Sequence, residues 1–291
     1  MAKKSDWIIG GVILLFIIIF FLTFISLLFI SPEGDFVTSQ DKVACVELYG
    51  PIFNSKDIVR QLKKYRKNKS IDAVVLRIES PGGAIGASQE IYDEVKKTRE
   101  SGKITIASMG NVAASGGYYV ACGADKIVAN PGTITGSIGV IAEFFDITRL
   151  TDKLGLKFET IKSGKFKDSG SPYRTLTSEE RKYFQKLIDD SFQQFVDVVH
   201  KERGIDKEEL YKIADGRVFT GQQAKELNLV DELGNYEDAI SLAIKMAGIS
   251  EDAKIIKEKR RKFNIFDILF ADIEEIIFRL RYNMIFGYLL K

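Results

Sequence analysis

The chain has 291 residues, and its 42 basic and 40 acidic side chains leave a formal net charge of +2. A charge this close to zero offers no general case for nucleic-acid binding. One histidine and two cysteines are too few for a zinc site, and the glycine-rich stretches lack the Gly-Lys-Ser/Thr of a phosphate-binding loop, so we expect no metal and no cofactor.

An uncharged apolar run occupies residues 7–30. As a helix rising about 1.5 Å per residue, this run exceeds the roughly 30 Å hydrocarbon core of a bilayer, so we predict one transmembrane anchor. Two lysines in residues 1–6, with acidic residues just after the run, indicate a cytoplasmic N-terminus and an extracytoplasmic body. A cleaved signal peptide is the alternative, but residues 31–33 lack a small-x-small cleavage pattern.

Residues 31–41 form a short linker, and strand-like and helix-like patterns alternate after it. The patterns predict strands at 43–49, 71–78 and 104–108 and helices at 56–66 and 87–99. Such alternation indicates an α/β layered fold with a largely parallel sheet. The longest predicted helix, Ser178–Arg203, follows a capping signal that begins at Thr177. We predict a single domain over residues 42–250, which is long enough for a sizeable core.

The last predicted segment is a tail over residues 251–291. The basic run Lys254–Lys262 begins it, and three apolar stretches interrupted by charge follow. These stretches are too interrupted to span a bilayer. The sequence leaves three places open for them: the membrane surface, as amphipathic segments, the body of this chain or of a neighbouring subunit, and the cleft.

Cys45 and Cys122 both lie in apolar segments. Free cysteine is among the most buried residue types, so we expect two buried thiols. A disulfide between them is the alternative.

Ser115 is the candidate nucleophile, because it precedes two glycines and opens an apolar helix-like run. A serine hydroxyl needs an adjacent base. His200 lies in a helix-patterned stretch that ends at Gly204, where a helix-face or C-terminal-turn histidine is the ordinary interpretation and a triad would also need a carboxylate. The other nitrogen base is a lysine, whose pKa of about 10.4 falls by several units when it is buried. Lys162, Lys165 and Lys167 are the candidates, and spacing alone does not separate them.

A turn at Ser80-Pro81-Gly82-Gly83 ends the β-branched run Val74–Ile78. Pro81 fixes this turn, and the glycines permit unusual dihedral angles that leave a backbone amide facing the cleft. Such an amide, together with that of Gly116, would stabilise a tetrahedral intermediate, and losing one such donor costs about 3 kcal/mol of transition-state stabilisation. Close packing and a plain turn explain the same residues without catalysis.

Five motifs follow one another along the chain: Ser80-Pro81-Gly82-Gly83, Ala114–Tyr119, Thr135–Val140, Lys162-Ser163-Gly164 with Lys167-Asp168, and Ala214–Gly221. Each motif is weak alone, but five in this order are specific. From about Lys42 to about Ala247 the chain resembles the signal peptide peptidase A (SppA) family of membrane-bound serine-lysine proteases. The resemblance implies an α/β fold of the ClpP/crotonase-like type, built from layered βα repeats, in its short single-domain form.

The resemblance also assigns roles to individual residues. Ser115 matches the nucleophile and Lys167 the general base of a Ser-Lys dyad. Ser137 matches a hydroxyl that hydrogen-bonds the base, and Gly83 matches the oxyanion-hole glycine, with the amide of Gly116 as its partner. These roles come from the family match, and the chemistry of the residues is compatible with them.

The implied function is that of a membrane-anchored serine endopeptidase that degrades remnant signal peptides after their release from preproteins. The implied partners are apolar peptides, the cell membrane and further copies of the chain in a ring-like or dome-like homo-oligomer. The resemblance leaves open whether the serine and lysine of one site come from the same subunit or from neighbouring subunits. Three alternatives remain: a related protease that cleaves other membrane proteins, an acyl-CoA enzyme of the crotonase type, and a catalytically inactive membrane scaffold. The predicted anchor argues against the acyl-CoA enzyme.

Overall fold

The computed structural model describes residues 18–21, 41–258 and 287–289 of the chain. Residues 18–21 are helical. The rest of the predicted anchor, together with residues 1–6 and most of the linker, lies outside the described residues. In the part of the chain that is described, no helix is both long and apolar enough to cross a membrane.

Most of the strands in the described residues belong to one sheet. The strands are β1 (Lys42–Tyr49), β2 (Ala73–Ser80), β3 (Gly82–Ala84), β4 (Ile104–Ala114), β5 (Lys126–Ala129), β6 (Ile134–Gly136), β7 (Val218–Thr220), β8 (Glu232–Leu233), β9 (Lys254–Lys257) and β10 (Gly287–Leu289). The large sheet has the order β7-β6-β4-β2-β1-β9, with β5 beside β4 and β8 beside β5. Its pairs are parallel except for β6 with β7. A separate small sheet pairs β10 antiparallel with β3.

Helices cover both faces of the large sheet. They are α1 (Lys56–Lys67), α2 (Ile85–Glu100), α3 (Gly116–Ala121), α4 (Thr148–Lys153), α5 (Ser178–Arg203), α6 (Lys207–Ile213), α7 (Gly221–Glu226) and α8 (Tyr236–Ala247). Successive strand residues point to opposite faces, so Val74, Leu76 and Ile78 pack in a core with α1, α2, α3 and α5. Ala73 and Val75 pack on the other face in a smaller core with α8.

The predicted mixed α/β fold is confirmed, and the predicted strands and helices occur with small differences at their ends. The largest difference is in β4, which was expected to end near residue 108 and instead continues to Ala114. The capping signal at Thr177 is confirmed as a capping box with Glu180. Cys45 and Cys122 are free and buried, as expected.

Two parts of the predicted tail belong to sheets. Lys254–Lys257 forms the edge strand β9 on β1, because the amide of Lys254 donates to the carbonyl oxygen of Asp41 (2.8 Å) and the pairing continues from there. Gly287–Leu289 is β10, beside β3. The residues between these two strands lie outside the described part, except for Glu258.

Aromatic side chains hold the short helix α3 against α2 and α5. The ring of Tyr119 in α3 makes edge-on contacts with Tyr92 of α2 (centroids 5.2 Å apart) and with Phe195 of α5 (5.1 Å). The hydroxyl of Tyr118 donates to the carbonyl oxygen of Leu229 at 3.0 Å. Edge-to-face pairs add to the free energy of burying the rings, so α3 has a fixed position.

We predict that Phe195→Ala lowers the free energy of unfolding by about 3–5 kcal/mol, because it removes a fully buried ring and leaves a cavity beside α3. Urea unfolding followed by circular dichroism measures the loss. The matched control is Lys201→Ala, an exposed position on the same helix, which we expect to change stability by less than about 0.5 kcal/mol. Similar values for the two variants would contradict the assignment of Phe195 to the core.

Candidate active site

Ser115 lies at the junction of β4 and α3 in a strained backbone conformation. Its φ of 54° and ψ of −117° are unusual for a residue with a side chain. The amide of Ser115 donates to the carbonyl oxygen of Gly136 (2.8 Å), and its own carbonyl oxygen accepts from the amide of Tyr119 (2.8 Å). Such strain persists only where the surroundings enforce it, and it is common at active sites.

The hydroxyl of Ser115 is buried and unpaired. The residue is 1% exposed, and its Oγ has no hydrogen-bond partner among the described residues. Leaving a buried hydroxyl unpaired costs about 1–3 kcal/mol. A buried polar group without a partner calls for an explanation, and a catalytic role is one that fits a serine hydroxyl.

A shift of register in the sheet brings the Ser80–Gly83 turn next to Ser115. The pairing of β2 with β4 is irregular beyond Ile78, and it resumes with Ser80 opposite Ala113. The carboxylate of Glu79 accepts the amides of Asn111 (2.8 Å) and Val112 (3.2 Å) at this irregularity. Because these amides are satisfied by a side chain, the backbone can bulge without losing hydrogen bonds.

The two predicted oxyanion glycines lie on backbone segments that touch. A Cβ placed on Gly116 would lie 3.2 Å from the amide nitrogen of Gly83 and 2.6 Å from Oγ of Ser88. On the other side of the turn, the amide of Ile52 donates to the carbonyl oxygen of Gly82 (2.8 Å) and the carbonyl of Ile52 accepts from the amide of Ala84 (2.7 Å). This packing leaves no room for a side chain at Gly116 and holds both amides near Ser115.

Ser137 comes directly after Gly136, whose carbonyl oxygen accepts a hydrogen bond from the amide of Ser115. It has a positive φ of 51°, is buried, and donates its amide to the carbonyl oxygen of Arg217 (2.8 Å). Because Ala114 is registered with Gly136 in the sheet, Ser115 and Ser137 follow directly paired positions. The structure therefore brings Ser115, Ser137, Gly83 and Gly116 into one region.

Lys167 is not brought to Ser115 within one chain. It is exposed, whereas the buried hydroxyl of Ser115 has no partner among the described residues. The structure does separate the three candidate lysines. Lys162 binds Asp168 (Nζ–Oδ1 2.5 Å) and Lys165 binds Glu179, whereas the side chain of Lys167 has no ion pair with any described residue.

His200 lies in the last turn of α5. Its Nδ1 is 2.7 Å from the carbonyl oxygen of Ile205, so its role is at a helix end, as the sequence indicates. Among the described residues, no group of three His, Cys, Asp or Glu side chains is placed to hold a metal ion.

Two contributors to this site gave no signal in the sequence. Glu79 supplies the carboxylate that supports the irregular pairing, and Ser88, fully buried, packs against Gly116 while its hydroxyl donates to the carbonyl oxygen of Ala84 (3.0 Å). Both are ordinary residues for a strand and a helix. Their role becomes visible only in the folded structure, which brings them close to Ser115 and Gly116.

Strand β3 accepts an extended segment along its edge. Tyr288 of β10 is registered with Gly83, and Leu289 and Gly287 are registered with Gly82 and Ala84. The backbone beside the candidate oxyanion glycine is thus able to pair antiparallel with an extended chain.

Two family models match the chain, that of peptidase family S49 over residues 97–250 and that of the Clp protease over residues 40–133. A Synechocystis sp. protein described as a protease is 46% identical over 217 residues, which is 74% of this chain and 78% of that protein. An Enterococcus faecium protein described as signal peptide peptidase SppA is 40% identical over 207 residues, 71% of this chain and 60% of that protein. The chloroplastic serine protease SPPA of Arabidopsis thaliana is 36% identical over 223 residues, 76% of this chain and 33% of that protein.

The mixed α/β sheet and the Clp protease match define a peptidase with a ClpP-like fold. The chain belongs to peptidase family S49, the family of the SppA proteins. The resemblance indicated by the five motifs is thereby confirmed.

We predict that Gly83→Ala lowers kcat for peptide hydrolysis by about 100-fold or more, because the new Cβ would lie 2.2 Å from the backbone oxygen of Ile52 and would displace the candidate oxyanion donor. Hydrolysis of a fluorogenic apolar peptide measures this change. Gly86→Ala is the matched control, since nothing lies within 4 Å of its new Cβ, and it should keep full activity. Thermal unfolding of both variants distinguishes a displaced amide from a lost fold, and full activity of a folded Gly83→Ala would exclude Gly83 from the oxyanion hole.

Proposed function

We propose that this chain is a membrane-anchored serine endopeptidase that uses Ser115 and Lys167 to degrade remnant signal peptides after their release from preproteins. The observation that carries the proposal is the buried, unpaired hydroxyl of Ser115 in a strained junction, beside the backbone of Gly83 and Gly116. The relative from Arabidopsis thaliana is named a serine protease, and that from Enterococcus faecium a signal peptide peptidase.

The reaction follows from these groups. Oγ of Ser115 attacks the carbonyl carbon of the scissile bond while the neutral amine of Lys167 takes the hydroxyl proton. The amides of Gly83 and Gly116 donate to the oxyanion. The Lys167 ammonium then protonates the leaving amine as the peptide bond breaks. A water activated by Lys167 hydrolyses the acyl-enzyme, and the hydroxyl of Ser137 orients the lysine.

The lysine of each site comes from a neighbouring copy of the chain in this proposal. In one chain Lys167 is exposed and makes no hydrogen bond to Ser115. The segment that precedes it exposes large apolar side chains, including Phe145, Leu154 and Ile161, the last of which is 96% exposed. Exposed apolar side chains grouped in one segment are typical of an interface, and contacts between unlike surfaces of identical chains form rings when the rotation between copies closes.

The substrate binds as an extended strand in this proposal. The pairing of β10 with β3 supports it, because an extended peptide can add to the same edge with its backbone beside Gly83. The anchor predicted at residues 7–30, followed by a short linker, keeps the domain near the bilayer, where apolar peptides collect. These features favour apolar signal peptides as substrates, and the two lysines before the predicted anchor favour an extracytoplasmic site.

We predict that Ser115→Ala and Lys167→Ala each abolish hydrolysis of a fluorogenic signal-peptide mimic, whereas Lys165→Ala keeps it, since Lys165 is already bound to Glu179. A serine-reactive phosphonate should label the parent and not Ser115→Ala. Size-exclusion chromatography verifies that each variant is assembled.

Hydrolysis by either dyad variant would refute that residue's role, and an assembled parent that neither cleaves nor reacts would favour the inactive scaffold. Preference for unfolded membrane proteins over the mimic would favour the other protease function.

We predict that mixing the two inactive variants restores activity. In a ring where each interface joins the serine of one copy to the lysine of the next, random mixing makes about one quarter of the sites complete. The variants are mixed after dissociation, reassembled and assayed against each variant treated alone. Absence of recovered activity in a verified mixed assembly would show that both residues of a site come from one chain.

A further inference from the structure

A single arginine joins the loop that carries Lys167 to the start of α5. The Nε and Nη2 atoms of Arg174 donate to Oδ2 (2.8 Å) and Oδ1 (2.9 Å) of Asp168, and Nη2 also donates to the Asp168 carbonyl oxygen (3.1 Å). The Nη1 atom donates to Oε2 of Glu180 (2.9 Å), and Nη2 also binds the other oxygen of that carboxylate. Arginine forms such two-pronged bonds because its donors are planar and fixed in direction.

The helix end to which the arginine is tied is itself rigid. Glu180 is 3% exposed, and its carboxylate accepts the amide and hydroxyl of Thr177 (both 2.9 Å) and the hydroxyl of Ser169 (2.9 Å). Ser169 lies two residues after Lys167. The loop is therefore attached to α5 through Arg174 and Ser169, on either side of a buried carboxylate.

The hydrogen bonds of Arg174 occupy the carboxylates of Asp168 and Glu180, so these groups already have cationic partners. Asp168 is the next residue after Lys167, and its Oδ1 also accepts from Lys162 (2.5 Å). Hydrogen bonds from Arg174, and then from Lys162, lower the pKa of the Asp168 carboxyl, and Arg174 is likewise the main cause of the lowered pKa of Glu180. Both carboxylates are thus ionised and already bound by cations.

Two acidic groups of the adjoining segments also have partners. Glu179 binds Lys165, and Asp146, before α4, accepts from Thr148 and Thr175. A carboxylate bound to an amine favours the protonated, non-basic form of that amine.

We propose that Arg174 is a positioning residue for the catalytic lysine: it fixes the Lys167 loop to α5 and holds Asp168 away from the Lys167 amine. This inference rests on the proposed function of Lys167 as the base. Its effect passes through Asp168 and Glu180, the two carboxylates that it binds.

The test compares assembled full-length variants by kcat, KM and pH–rate profile. Arg174→Ala should lower kcat by about 10- to 100-fold with KM unchanged, because the lysine is misplaced while strand β3, along which the substrate is proposed to bind, is unchanged. The acidic limb of its profile should move by about one unit to higher pH, since the released Asp168 carboxylate stabilises the protonated amine. Arg174→Ala with Asp168→Asn should return the limb to its original pH without restoring the full kcat.

The matched control is Lys207→Ala, which breaks the ion pair with Asp197 on the same helix α5 (2.5 Å) and leaves the loop intact. It should leave kcat and the profile unchanged. If Arg174→Ala does not assemble, Arg174→Lys, which keeps the charge but cannot hold two carboxylates in the same way, should lower kcat by about 3- to 10-fold.

Two results separate this inference from the proposed function. If Lys167→Ala is inactive but the arginine variants keep the parent kcat and pH profile, Arg174 has no positioning role. If Lys167→Ala remains active, the base assignment itself has failed. A kcat loss with no pH shift would overturn the role of Arg174 in holding Asp168 away from the amine.

Discussion

The candidate site depends on one backbone hydrogen bond, from the amide of Ser115 to the carbonyl oxygen of Gly136 (2.8 Å). This bond ends the pairing of β4 with β6, and the chain turns into α3 directly after it with a positive φ at Ser115. A strained residue needs support from several directions. The sheet supplies it on one side, and the aromatic contacts of α3 with α2 and α5 supply it on the other.

The site also depends on close contact between two backbones. Gly116 packs against the Gly82–Gly83 segment so tightly that a Cβ would collide with Ser88. That contact exists because the irregular pairing of β2 with β4 brings the Ser80–Gly83 turn next to the start of α3. The carboxylate of Glu79 accepts hydrogen bonds from the backbone amides that the irregular pairing leaves without a partner in β2. The candidate nucleophile and the candidate oxyanion donors are therefore fixed by the sheet, whereas the candidate lysine is held on a loop fixed separately to α5. This division is consistent with a site completed by a second copy of the chain.

Much of the fold could be predicted from the sequence. The alternation of β-branched runs and amphipathic stretches specified β1, α1, β2 and α2, since these patterns reflect burial of one face or of the whole strand. The end of β4 was not predictable, because Gly110 and Asn111 interrupt the strand pattern and the residues after them are held by β6 and by Glu79. The strand β9 was also missed, since four residues of which two are lysines look like a solvated surface until β1 supplies a partner.

The sequence by itself determined the family, through the order of five glycine-rich and serine-containing motifs, and with it the candidates Ser115, Lys167, Ser137, Gly83 and Gly116. Only the tertiary structure decided which groups meet. Contacts between residues distant in sequence placed Ser88 behind Gly116 and left the Ser115 hydroxyl buried without a partner. They also bound Lys162 and Lys165 to carboxylates and left Lys167 apart. Sequence spacing cannot report such choices, because they depend on which neighbours the folded chain brings within hydrogen-bonding distance.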